Sequence, residues 1–318
     1  MELQTQIPLK QQQPLIDYQS KVLLMGSCFV DNIGDKLEYF KFQSQSNPFG
    51  ILFHPKAIER MITRMADGML FTEKDVFWHQ ERWQSLEVHS TYSDTDKTRL
   101  LSKLNEKITQ EHQSLKELSH LVVTLGTAWG YRHLESQNIV ANCHKLPQHL
   151  FEKSLSGIGE IQDSLQHFIS VVRAVNPNVR LIFTVSPVRH LKDGFVENQR
   201  SKAHLIAAIH QCIETLNDSG ITYFPSYEIV MDELRDYRFY SEDMIHLTPT
   251  AINYIWERFS SAWLSPATKE VMEQVDKIQS GLSHRPFNPN SAQYLDFKEK
   301  LQQKIAYISE KYPHMQFD

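Results

Sequence analysis

Between residues 21 and 264, strand-length apolar runs alternate with stretches whose apolar residues recur at helical spacing. The runs Val22-Leu23-Leu24-Met25, His120-Leu121-Val122-Val123-Thr124-Leu125, Val179-Arg180-Leu181-Ile182-Phe183-Thr184-Val185 and Ile221-Thr222-Tyr223-Phe224 are nearly continuous rather than alternating. Such runs suit strands buried on both faces of a parallel sheet. Between them, Phe29, Ile33 and Leu37, then Leu100, Leu104 and Ile108, then Ile161, Leu165, Phe168 and Val172, mark amphipathic helices. Helical patterns also cover Pro55 to Ala66 and Asn198 to Leu216, and a last one follows Pro249. The alternation predicts an α/β fold with a central parallel sheet. In such sheets ligands bind beyond the carboxyl ends of the strands, so the residues there are the ones to read for chemistry.

The pattern divides the chain into an N-terminal extension (residues 1–20), an α/β domain (21–264) and a C-terminal helical appendage (265–318). Two insertions interrupt the domain. Near 70–95, Val76-Phe77-Trp78-His79 and Trp83-Gln84-Ser85-Leu86 read as a hairpin, whose two tryptophans suit either packing or stacking on a sugar. Near 130–150, Tyr131 to Pro147 reads as a long polar loop or arm, a length that usually accompanies function.

A hydrophobic fraction of 41% over 318 residues supports a full-size core. The net charge of −5, without a block of Lys and Arg, disfavours nucleic acid and anionic membranes as partners. The three cysteines, Cys28, Cys143 and Cys212, lie far apart with no CxxC pair, as in a reducing compartment. With no signal-like start and no long apolar span, the expected location is cytoplasmic. Neither a structural metal nor a cofactor is expected, because no set of His and Cys has ligand spacing.

Chemistry gathers at the predicted strand ends. The first strand stops at Gly26-Ser27-Cys28-Phe29 and passes directly into a helix. Ser27 there suits a helix N-cap, and equally a nucleophile at a helix start, where N–H groups and the dipole favour negative charge. Asn47-Pro48-Phe49-Gly50 marks a loop in which Gly50 can adopt positive φ. Near the domain's end, Asp243 and His246 have the spacing at which one turn of chain sets a carboxylate against imidazole Nδ1 and leaves Nε2 free for a hydroxyl. A surface ion pair would have the same spacing. Serine, acid and histidine together are what acyl transfer requires. Cys28 suits either a small buried role or that of the nucleophile itself, and Arg189 and His190 follow a strand end where they could line a pocket.

The order Ser, Asp, His, with the acid and base together as DxxH at the end of the domain, resembles the SGNH or GDSL-type hydrolase superfamily. More closely, Gly26-Ser27-Cys28-Phe29 resembles the GSCFA family, with Val30 where the family name has Ala. The resemblance covers about residues 20 to 262. It implies a flavodoxin-like three-layer sandwich with an inserted hairpin and added C-terminal helices. It further implies a serine esterase or O-acyl hydrolase acting on an acylated small molecule or carbohydrate. An acyltransferase, or a catalytically silent carbohydrate- or partner-binding domain, are the alternatives. Carried across, Ser27 is the nucleophile, His246 the general base and acid, and Asp243 its orienter. Gly50 matches the second block, whose N–H helps bind the oxyanion together with that of Ser27. The third block, normally G-x-N-D, reads Gly126-Thr127-Ala128-Trp129, so the side-chain donor falls to Thr127, Asn142 or Asn47.

Overall fold

The computed structural model describes residues 4–317. Five parallel strands form the central sheet: β1 (Lys21–Gly26), β2 (Gln43–Ser46), β5 (His120–Leu125), β8 (Arg180–Val185) and β9 (Ile221–Tyr223), in the order β2-β1-β5-β8-β9. Counting only the sheet strands, that order is 2-1-3-4-5, the flavodoxin-like arrangement. The protein is therefore an α/β three-layer sandwich.

The pleat sends successive side chains to opposite faces, and each face has its own core. Leu23, Met25, Leu121, Val123, Leu181 and Phe183 face α2 (Pro55–Asp67), α3 (Lys97–Glu117), α4 (Ile158–Val175) and α5 (Phe195–Leu216). Val22, Leu24, Val122 and Ile182 face the other way, against α1 (Phe29–Tyr39) and α7 (Pro249–Trp263). The same second core takes in the short helix α6 (Ser226–Glu228) through the π-helical turn Ile229–Glu233 that continues it, and α8 (Thr268–Ser283) and α9 (Ala292–Lys311). Each fully buried Leu, Val or Phe stabilises by roughly 1.5–3 kcal/mol relative to exposure, which explains why these strands are apolar throughout.

Proline opens both α2 and α7, where its missing N–H costs nothing, and Thr248 caps α7 through the Ala251 N–H. The N-terminal segment lies along the end of α7: Gln12 and Ile16 donate to the carbonyls of Ala262 and Trp263.

Two antiparallel hairpins stand outside the sheet. β3 (Phe77–His79) and β4 (Arg82–Gln84) pair Trp78 with Trp83, whose rings lie 5.6 Å apart, while Lys97 sits over Trp83. Of the two readings of 131–147, loop or arm, the structure shows the arm. Its start belongs to β6 (Trp129–His133), which pairs along its whole length with β7 (Phe151–Leu155). The segment is thus the arm and tip of a second hairpin, with Phe151, Lys153 and Leu155 on one face of β7 and Glu152 and Ser154 on the other.

Candidate active site

All five sheet strands are parallel, so their carboxyl ends share one edge. Gly26, at the end of β1, has φ +139°, and a Cβ there would lie 2.1 Å from the Thr124 carbonyl oxygen. Only glycine fits, which lets the chain turn sharply from strand to helix. Ser27 follows, with no exposed surface; its N–H donates to Thr124 O at 3.1 Å and its Oγ accepts from the Phe29 N–H at 3.4 Å. The hydroxyl therefore sits at the start of α1, where N–H groups and the helix dipole favour developing negative charge.

The loop after β2 is tied to this turn. Asn47 Oδ1 accepts the Gly26 N–H at 2.9 Å and its Nδ2 donates to Asp31 at 2.8 Å, so one side chain joins the loop, the strand end and α1. Asn47 has φ +42° and Gly50 φ +75°, and the Gly50 N–H donates to Asn47 O at 2.7 Å, closing the turn. The next residues continue the edge: Leu52 N–H donates to Gly26 O, and Phe53 O accepts from Gly126.

These bonds bear on the oxyanion donors suggested by the sequence. The N–H groups of Gly50 and Ser27 and the Asn47 amide are already engaged within the protein. Thr127 Oγ1 is shared between Ser201 Oγ at 3.0 Å and the Trp129 N–H at 3.1 Å, and Asn142 Oδ1 accepts from the His144 N–H. By contrast, the N–H groups of Cys28 and Phe53 have no acceptor among the described residues.

Asp243 and His246 lie on the loop between the π-helical turn and α7, which a bridge between Tyr240 and Leu247 closes at its base. Asp243 Oδ2 accepts from His246 Nδ1 at 2.6 Å, while Oδ1 accepts the N–H groups of Ile245 and His246, each at 2.9 Å. Those bonds hold the Asp243 pKa down at about 2, the imidazole contributing most. A carboxylate fixed in this way sets the Nδ1–H tautomer and leaves Nε2 as an acceptor. Both side chains are about half exposed, and no hydrogen bond joins His246 to Ser27 Oγ.

His190, on the loop after β8, lies between these groups and a large cavity. Burial first, then the charges of Lys202 and His246, push its pKa down to about 4, so it is neutral at pH 7. The cavity measures about 610 Å3, and its walls include Phe53, Thr127, Trp129, Asn142, Phe151 and His190. Thr127 and Asn142 thus meet at one space. Ser27 lies just behind the wall: a Cβ on Gly126 would be 3.2 Å from the Cβ atoms of both Phe53 and Ser27. Lys153 of β7 pairs with Asp193 of the β8 loop and lies 5.2 Å from the Trp129 ring, joining the hairpin arm to that loop.

Sequence reasoning missed the inward face of α5. Asn198, Ser201 and Lys202 are all buried there, at 6%, 1% and 0% exposure. Asn198 Oδ1 accepts the His190 N–H at 2.9 Å, Ser201 Oγ accepts the Ala128 N–H at 2.7 Å, and Lys202 Nζ donates to Gly126 O at 2.6 Å and Ser186 O at 2.7 Å. A signal for them exists: they stand at i, i+3 and i+4 on the stripe that continues through Leu205, Ile209 and Cys212, polar residues in core positions.

Cys28 is half-buried against the second core, and burial followed by the Asp31 charge raises its thiol pKa. Among the described residues no three His, Cys, Asp or Glu side chains converge as metal ligands, and no helix is long and apolar enough to cross a membrane.

No curated protein matches this chain. Among solved structures it is similar to an acetyl xylan esterase (Est2A) from the rumen bacterium Butyrivibrio proteoclasticus, at 11% identity and a TM-score of 0.40. That alignment covers 85% of this chain and 66% of the other, so this chain spans about two thirds of that protein's length. Residues 275–318 match the C-terminal domain of GSCFA domain proteins. The match over residues 21–259 takes in the whole sheet and the Gly26-Ser27-Cys28-Phe29 turn: the chain belongs to the GSCFA family.

Proposed function

We propose that the protein is a serine esterase or O-acyl hydrolase that works through an acyl-serine at Ser27. The observation that carries this reading is the 2.6 Å Asp243–His246 bond, its carboxylate held by two further N–H groups, on a loop next to His190 and the strand edge that presents Ser27. In the first half-reaction Ser27 Oγ attacks the ester carbonyl while His246 Nε2 takes its proton. Asp243 holds the tautomer and offsets the imidazolium charge. The tetrahedral oxyanion is received by the free N–H groups of Cys28 and Phe53, the former being the residue after the nucleophile, a common source of such a donor. On collapse, His246 returns the proton to the departing alcohol, and water then releases the acid by the same steps reversed. An acceptor alcohol in place of water would make the same site an acyltransferase.

The cavity of about 610 Å3, walled by Phe53, Trp129 and Phe151, is the proposed seat of the substrate, an O-acylated small molecule or carbohydrate. Closure to a productive site requires His246 to approach Ser27, as catalytic hydrogen bonds commonly tighten when substrate binds. The proposal keeps residues 21–264 as the catalytic domain, 1–20 as an extension and 265–318 as a helical appendage, in the cytoplasm. The absence of a Ser27–His246 hydrogen bond favours a second reading, a silent binding domain on the same fold.

Turnover of p-nitrophenyl acetate by Ser27→Ala and His246→Ala separates the two. The esterase reading expects kcat/KM to fall at least about a thousand-fold in each. Turnover no faster than the uncatalysed background in wild type and both variants would favour the silent domain, and catalysed turnover unchanged in both variants would remove Ser27 and His246 from the mechanism.

A further inference from the structure

Lys202 is fully buried, yet among the described residues no carboxylate pairs with it. Its two hydrogen bonds go to Gly126 O and Ser186 O, the carbonyls that end β5 and β8 on the edge that presents Ser27. A lysine with no counter-ion is an expensive way to join two strand ends, because a buried unpaired charge carries a desolvation penalty that a neutral donor to the same two carbonyls would not. The location suggests a reason. Gly126 lies against Ser27, and its peptide leads into Thr127, one residue before Ala128, which stands where G-x-N-D has its asparagine. Lys202 grips the carbonyl of that peptide, whose N–H, on Thr127, donates to Phe53 O at 3.4 Å, so the peptide is held on both sides. The Ser186 bond likewise grips the loop that carries His190, which Asn198 also holds.

We propose that Lys202 is a positioning residue for acyl transfer at Ser27: it locks the Gly126-Thr127 and Ser186-Pro187 strand ends around the nucleophile and supplies the buried positive charge that a missing third-block asparagine leaves wanting. The inference rests on the esterase reading of Ser27. A charge buried as Lys202 is acts on a developing oxyanion more strongly than one in solvent. Burial pushes the Lys202 pKa down to about 7, with Cys28 opposing, so the ammonium is lost as pH rises through that value. The titratable groups that face it are Cys28 at the start of α1 and His190 on the β8 loop. The Cys28 thiol is pushed above its usual value and His190 down to about 4, so neither titrates between pH 6 and 8.

The test compares wild type, Ser27→Ala and Lys202→Met, with kcat and KM for p-nitrophenyl acetate from pH 5.5 to 9 and a thermal melt of each. Lys202→Met is expected to melt cooperatively and to lower kcat about a hundred-fold with KM within about threefold. The wild-type profile should fall above about pH 7, and the variant should lack that descending limb. A bracket with no part in catalysis would change the melt and leave the shape of the pH profile alone. If Ser27→Ala keeps full turnover, the esterase reading falls and takes this inference with it. If Ser27→Ala is inactive while Lys202→Met retains kcat within about threefold, the inference alone is overturned. Should Lys202→Met not fold, the wild-type profile decides: a fall above about pH 7 supports the role, and a kcat flat to pH 9 contradicts it.

Discussion

Asn47 Oδ1 accepts the Gly26 N–H at 2.9 Å, so a loop residue twenty-one positions downstream holds the strand end that aims Ser27. Its amide nitrogen reaches Asp31 in the first turn of α1, so the one side chain accepts at its oxygen and donates at its nitrogen. Asn47→Ala leaves the Gly26 N–H and the half-buried Asp31 carboxylate without partners. The expected loss is about 1–3 kcal/mol of stability by urea denaturation, with lower esterase activity as well. A variant as stable as wild type would show that water replaces the amide at no cost.

Gly26 tolerates no side chain. A Cβ would lie 2.1 Å from backbone oxygen at a φ of +139°. Gly26→Ala should therefore cost roughly 3 kcal/mol or more and shift β1 away from β5. Loss of the native urea transition, or a midpoint well below wild type, is the expected readout; an unchanged midpoint would mean that the turn relaxes freely.

Asp243 is held near a pKa of about 2 by His246 and two N–H groups, against an ordinary value of 3.8. A depressed carboxylate pKa contributes stability that is present above 3.8 and is lost as pH falls through 2. Between pH 5 and 9 the group stays ionised, so it adds no limb to the activity profile. Asp243→Asn keeps the shape but loses the charge that fixes the imidazole, and kcat should drop by about tenfold or more, with a small fall in melting temperature as the ionised carboxylate's contribution is lost. Equal kcat in variant and wild type would remove Asp243 from the mechanism.

The frame of the protein is legible in the sequence because parallel strands buried on both sides must be apolar throughout, as in Leu121-Val122-Val123 and Leu181-Ile182-Phe183. The sharp turn at Gly26-Ser27 and the Asp243–His246 contact are legible for a related reason: each is a local arrangement that a few neighbouring residues impose. What escaped depends on partners far along the chain. The hairpin of β6 and β7 joins two ribbons eighteen or more residues apart, neither apolar enough to declare itself. The roles of Asn198, Ser201 and Lys202 exist only because α5 packs beneath the strand ends, which places their side chains 2.6 to 3.0 Å from backbone and hydroxyl groups that precede them by 8 to 76 residues. The engaged N–H groups of Gly50 and Ser27 were equally invisible, since residue type does not say where a backbone donor points.

The claim that Ser27 is the nucleophile has a direct measurement: peptide mapping by mass spectrometry after exposure to a fluorophosphonate probe. The account predicts one adduct per chain on the peptide that carries Ser27, absent from Ser27→Ala and formed at least about a hundred-fold more slowly by His246→Ala. An unlabelled wild-type chain, or an adduct that persists in Ser27→Ala, would contradict it.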